Sequence, residues 1–179
     1  MAEAFINSTT RAVGVVTTSS AGAVGVQTNL ITGISTTNVT VGDIVDNSNY
    51  LAGTKVSSIG VNSTTVDRDS TNETAASSQT IKYLGLTTAY TSASGVKSII
   101  IGGTFANNTT SEVELTVHLY DDSADLTPAI VSKIPVPNGS SFVLSDTGKT
   151  VLEGLDAIRV YCDTANGIDV QLGILKGVS

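Results

Sequence analysis

The chain has 179 residues, with 16 acidic against 9 basic side chains and a net charge of −7, the size of one domain or of one domain carrying a small insertion. Only 14% of residues are charged and 4% aromatic, which excludes a coiled coil, and a pI near 4.4 leaves no basic footprint for nucleic acid or an anionic membrane. One cysteine excludes an internal disulfide framework, and Ser and Thr, about a quarter of the chain, point to a β-rich protein.

In chain order, Met1-Ala-Glu-Ala-Phe-Ile-Asn carries an acid where a secretory leader needs positive charge, and no long apolar run follows. The protein is therefore expected to stay where it is made. A first β-rich run covers 12–17. From residue 19 to 85 the texture changes, first Gly- and Ala-rich and then rich in Thr, Asn and Val. Three short strand-like pieces, 39–45, 51–60 and 62–66, are separated by turn residues, with Gly53 expected to supply a positive φ. The piece 79–85 alternates again. So few large apolar residues predict a module that leans on the main domain or on neighbouring subunits.

Beyond it comes a run from Val96 to Phe105, whose Ile99-Ile100-Ile101 is far too short to cross a bilayer. The cleanest alternation follows over 112–120, where Val113, Leu115, Val117 and Leu119 fall on one face. Shorter β-rich runs cover 129–134 and 141–144. Two further alternations place Ile158, Val160 and Cys162 on one face, and Ile168, Val170, Leu172 and Ile174 on another. No window has helical spacing, and strands recur about every eight to twelve residues. The expectation is an all-β chain: an antiparallel β-sandwich, jelly-roll or immunoglobulin-like, from residues 1–18 and 86–179, with a small β module inserted at 19–85.

Residues that carry chemistry are sparse. His118 is the sole histidine and is expected on the solvent face of its strand, as an exposed or interface residue. Cys162, in phase with Ile158 and Val160, is expected to be a buried, inert thiol. Asp121, Asp122 and Asp125 offer oxygens suited to calcium, but they follow a strand where a polar turn is expected. Glu112 and Glu114 alternate with core positions on the solvent face, without a pocket for paired-carboxylate chemistry. The glycines of Gly22-Ala-Val-Gly and Gly102-Gly103 lack a phosphate-loop lysine and precede no helix, so they are expected as flexible or turn glycines. Asn-x-Ser/Thr triplets, as at Asn107 and Asn138, follow from composition alone. No catalytic, cofactor-binding or metal residue is assigned.

Several stretches together carry a resemblance. They are Arg11-Ala-Val-Gly-Val, 88–103, Phe105-Ala-Asn-Asn-Thr-Thr-Ser through Tyr120-Asp-Asp, Lys133-Ile-Pro-Val-Pro-Asn-Gly and Lys149-Thr-Val-Leu-Glu-Gly-Leu-Asp. This order is similar to a family of small β-sandwich virion structural proteins of tailed bacteriophages, and it covers roughly the outer two-thirds of the chain. It departs at Leu155, an extra residue before Asp156 that suggests a bulge, and at the insertion, which resembles a small β module of phage appendage proteins.

The resemblance implies a non-enzymatic, homo-oligomeric accessory component of head, neck or tail, such as a capsid decoration protein. Its partners would be its own copies and capsid, neck or tail proteins, with no nucleic acid, membrane or cofactor. Its place would be the virion, assembled in the host cytoplasm. A flexible N-terminal arm and the insertion are the expected contact surfaces. The alternative is a host-surface or carbohydrate-binding module, which needs solvent-facing aromatics, with Tyr50, Tyr83 and Tyr90 as candidates.

Overall fold

The computed structural model describes residues 3–144 and 149–178. The chain is all-β, with no helix among the described residues. Its strands are β1 (Ala4–Val13), β2 (Val15–Val24), β3 (Leu30–Thr32), β4 (Ile44–Asp46), β5 (Val56–Gly60), β6 (Ser63–Val66), β7 (Ala76–Gly85), β8 (Thr87–Thr91), β9 (Lys97–Asn107), β10 (Val113–Tyr120), β11 (Ala129–Val136), β12 (Ser141–Leu144), β13 (Thr150–Leu152), β14 (Ala157–Cys162) and β15 (Ile168–Val178). They divide into two compact units, Met1–Gly14 with Thr87–Ser179, and Val15–Leu86.

The first boundary lies earlier than the change of texture at residue 19. β2 pairs with β7 from Val15 onward, so residues 15–18 belong to the inserted unit. The run 12–17 is accordingly two strand ends rather than one strand. Gly14 separates them at φ +124°, and a Cβ there would run into Thr164 O and come within 2.8 Å of Cys162 Sγ. Only glycine combines that backbone with that approach.

The first unit is an antiparallel β-sandwich. One sheet has the order β1-β15-β9-β12, with β13 also pairing β9, and the other β11-β10-β14-β8. The alternation predicted over 158–162 and 168–174 is the alternation that fills its core: Ile158, Val160 and Cys162 from one layer meet Ile168, Val170, Leu172 and Ile174 from the other, around Phe105 and Leu115. Each such side chain, fully buried, contributes about 1.5–3 kcal/mol relative to exposure. Gly22, Gly102 and Gly103 are not turn glycines but lie inside β2 and β9; Gly103 makes room for this packing, since a Cβ there would lie 2.7 Å from Leu172 Cδ2.

The residues expected to form a flexible N-terminal arm instead form β1, ten residues long, which pairs along β15 from Ala4↔Lys176 to Val13↔Ile168. Its inward positions are short or branched and its outward ones polar apart from Phe5, a pattern too weak to read as a strand without its partner. Leu155 adopts φ +75° in a turn between β13 and β14, not in the bulge expected before Asp156. The turn closes with Asp156 N–H donating to Glu153 O, while Asp156 Oδ2 accepts from Glu153 N–H at 2.9 Å and Oδ1 from Asp122 N–H at 3.0 Å.

The second unit is a six-stranded sheet, β4-β7-β2-β3-β6-β5. Its end strands are tied to one another: Val45 N–H donates to Thr54 O at 2.8 Å, and Val56 N–H to Asp43 O at 2.9 Å. A core of its own gathers Val24, Ile31, Ile34, Val45, Val56, Val66, Ile81 and Tyr83. Across that core Tyr83 Oη and Thr64 Oγ1 share a hydrogen bond of 2.9 Å, although their strands are separated in the sheet by two others. Gly53 takes the expected positive φ, +81°.

Candidate functional site

The chemically capable residues of the first unit are occupied by structural bonds. His118 is buried, not on a solvent face as the alternation suggested. It sits on β10, between β11 and β14, with its ring edge-on to Tyr161 at 5.4 Å and 76°. Thr116, also on that side of the strand, is buried too, and its Oγ accepts Lys133 N–H at 2.9 Å. On that side Glu114 stays exposed while Thr116 and His118 are buried, so the alternation holds at the start of β10 and fails in its middle.

Cys162 is buried, and its thiol donates to Thr164 O and Val13 O. Burial pushes its pKa up, which disfavours the nucleophilic thiolate. Asp121 Oδ1 accepts from the Ser123 hydroxyl at 2.8 Å and from Ala124 N–H at 3.0 Å. These bonds, led by the one from Ser123, hold its carboxyl below the usual range and make the acidic stretch a turn. Glu114 points to Lys133 Nζ at 3.8 Å. Among the described residues, no group of three or more His, Cys, Asp or Glu side chains is placed to hold a metal ion.

Asn107, whose triplet follows from composition alone, nonetheless organises the Asn-rich turn. Its Nδ2 donates to Ser111 O and Val136 O, and its Oδ1 accepts from Thr109 N–H and Oγ1, all at 2.7–2.8 Å. The tyrosines expected to face solvent are not presented for stacking. Tyr50 is buried with its hydroxyl on Thr28 O, Tyr83 lies in the core, and half-buried Tyr90 bonds Ser98.

What the first unit does present is apolar surface on the outer side of the β1-β15-β9 sheet. Register places Phe5, Leu175, Ile99 and Val151 side by side across β1, β15, β9 and β13. Phe5 is 78% exposed and Val151 52%. Beside this row a bulge in β9, between Gly173↔Gly102 and Ile174↔Ile100, leaves Ile101 as the extra residue, and it too is exposed. Gly102 and Gly173 face one another across the strands. Without side chains they floor a shallow groove of about 460 Å³, walled by Phe5 and Asn7 on one side and Ile101 and Val143 on the other.

Toward the far end of the same face Arg11 Nε approaches Asp169 Oδ2 at 3.6 Å. Ala12 N–H donates to Asp169 Oδ1 at 2.8 Å, the leading reason that carboxyl is held below its usual range. Beyond the apolar row, Lys97 pairs with Glu153 at 3.3 Å. Only the β9 part of this face carried a signal in the sequence: Ile99-Ile100-Ile101 puts apolar residues on both sides of one strand, which a half-buried strand does not require.

Compared with family models, with curated proteins and with solved structures, the chain matches none.

Proposed function

We propose that this chain is a non-enzymatic structural protein of a tailed-bacteriophage virion, a homo-oligomeric accessory component bound to head, neck or tail. The observation that carries the reading is the apolar outer face of the first unit, a sheet surface with Phe5, Ile101, Val143 and Val151 open to solvent. Exposed apolar surface gathered on one face is characteristic of protein contacts rather than of a solvated sheet. The resemblance running from Arg11 to Asp156 supplies the setting.

The second unit adds contact points. Val41, Leu51 and Val61 are exposed at turns between its strands. In a repeated assembly such modest contacts gain strength through effective concentration, so no single copy needs high affinity. A carbohydrate-binding role is less well supported, since Tyr50 and Tyr83 are turned into the core and leave no aromatic platform there.

The test is to add purified protein to particles made without it and measure binding by co-sedimentation. Saturable uptake at a fixed number of copies per particle is expected. Absence of uptake, together with glycan binding that Tyr90→Ala abolishes, would replace this reading with the carbohydrate one.

A further inference from the structure

We infer that the outer face of the β1-β15-β9-β12 sheet pairs with the same face of a second copy, Phe5 of each entering the glycine-floored groove of the other. The inference rests on the proposed homo-oligomeric role and names its contact surface.

Shape argues for a second copy. A protruding aromatic side chain, 78% exposed, and a groove with a glycine floor lie next to each other on one face. A two-fold axis places each projection over the other copy's groove, which is the condition for an isologous, self-complementary interface.

Area argues the same way. Four strands about 4.8 Å apart, and the eleven residues of β15 rising about 3.3 Å each, give a face of roughly 700 Å². Stable pairs of standard size bury about 600–1,000 Å² per partner, a range whose lower part this face reaches.

Charge removes the obvious objection. The chain carries −7, so copies repel at long range. On this face, however, the flanking charges are already matched in Arg11–Asp169 and Lys97–Glu153. Two such faces therefore meet without net like-charge contact.

Sedimentation velocity of the full chain, from micromolar to millimolar concentration, tests the inference with three variants. Gly173→Val fills the groove. Gly173 lacks a positive φ, and a Cβ there meets nothing closer than Gly102 O at 3.9 Å, so folding is preserved and circular dichroism checks it. Phe5→Asp removes the projection from an edge strand. Val26→Asp, at an exposed position of the second unit that is given no contact role, is the control.

The expected result is a reversible dimer whose dissociation constant rises at least about ten-fold in both face variants and is unchanged in Val26→Asp. Self-association that neither face variant weakens would overturn the inference while leaving the homo-oligomeric role intact. A wild-type chain that stays monomeric yet is taken up by particles lacking it would overturn self-pairing alone. If Gly173→Val also abolished that uptake, the face would belong to a different virion protein. A chain that neither self-associates nor is taken up would overturn both.

Discussion

Changing Tyr83 to Phe deletes a single oxygen from the centre of the second unit, and the structure sets the size of the effect. Tyr83 and Thr64 are both fully buried and share one hydrogen bond of 2.9 Å. Removing the phenol oxygen leaves the threonine hydroxyl dry and without that partner, at a cost of about 1–3 kcal/mol, the desolvation penalty of one polar group. Thr64→Val has the mirror-image effect on the tyrosine. The double variant has neither orphan and is expected to lie within about 1 kcal/mol of wild type, so the single costs do not add and the cycle gives a coupling energy of at least about 1 kcal/mol. Because the chain has two units, the readout is hydrogen exchange resolved at β6 and β7, with the strands of the first unit as internal reference. Strictly additive costs, or a silent Tyr83→Phe, would refute the closed, dry core from which the magnitude is worked.

Three further outcomes follow from the same structure. Burial, reinforced by Tyr83 and Asp69, raises the Tyr50 pKa from 10.0 to about 12. Above pH 10 the unfolded chain therefore holds fewer protons than the folded one, and stability falls by up to about 1.4 kcal/mol per pH unit until about pH 12. Tyr50→Phe should flatten that decline in alkaline unfolding curves, and an unchanged slope would show that Tyr50 titrates freely. Cys162, buried and with its pKa raised, should react with a thiol reagent only on unfolding; prompt labelling of the native chain would contradict its burial. Gly14→Ala should destabilise the sandwich by at least about 2 kcal/mol, because a Cβ meets both an unfavourable φ and neighbouring backbone; a loss under about 0.5 kcal/mol in thermal unfolding would mean that the segment is free to shift.

Local alternation was enough to locate the strands whose two faces differ. Val113, Leu115 and Val117, the 158–162 run and the 168–174 run all lie in the core, because a period of two reports directly which side chains avoid water. It failed at His118 and Thr116, which are buried beside β11 and β14 on the side where Glu114 is exposed, since a polar residue type does not by itself report what packs over it. It also failed for β1, where short polar residues become a strand only beside β15. The candidate site divides in the same way. Glu114, Asp121 and Cys162 were legible as structural from their neighbours in the chain. The outer apolar row was not, because Phe5, Leu175, Ile99 and Val151 come together from four strands.

By itself, then, the amino-acid order determined the class of fold, the positions of most strands and the positive φ of Gly53. Those are properties of a residue and its nearest neighbours. Only the tertiary structure decided that β9 lies between β15 and β12, that a bulge pushes Ile101 outward beside a glycine floor, and that the second unit ties its end strands together. Periodicity states which face a side chain takes and is silent on which strand lies alongside. That choice depends on contacts between residues far apart in the chain, and the candidate interface is made of such contacts.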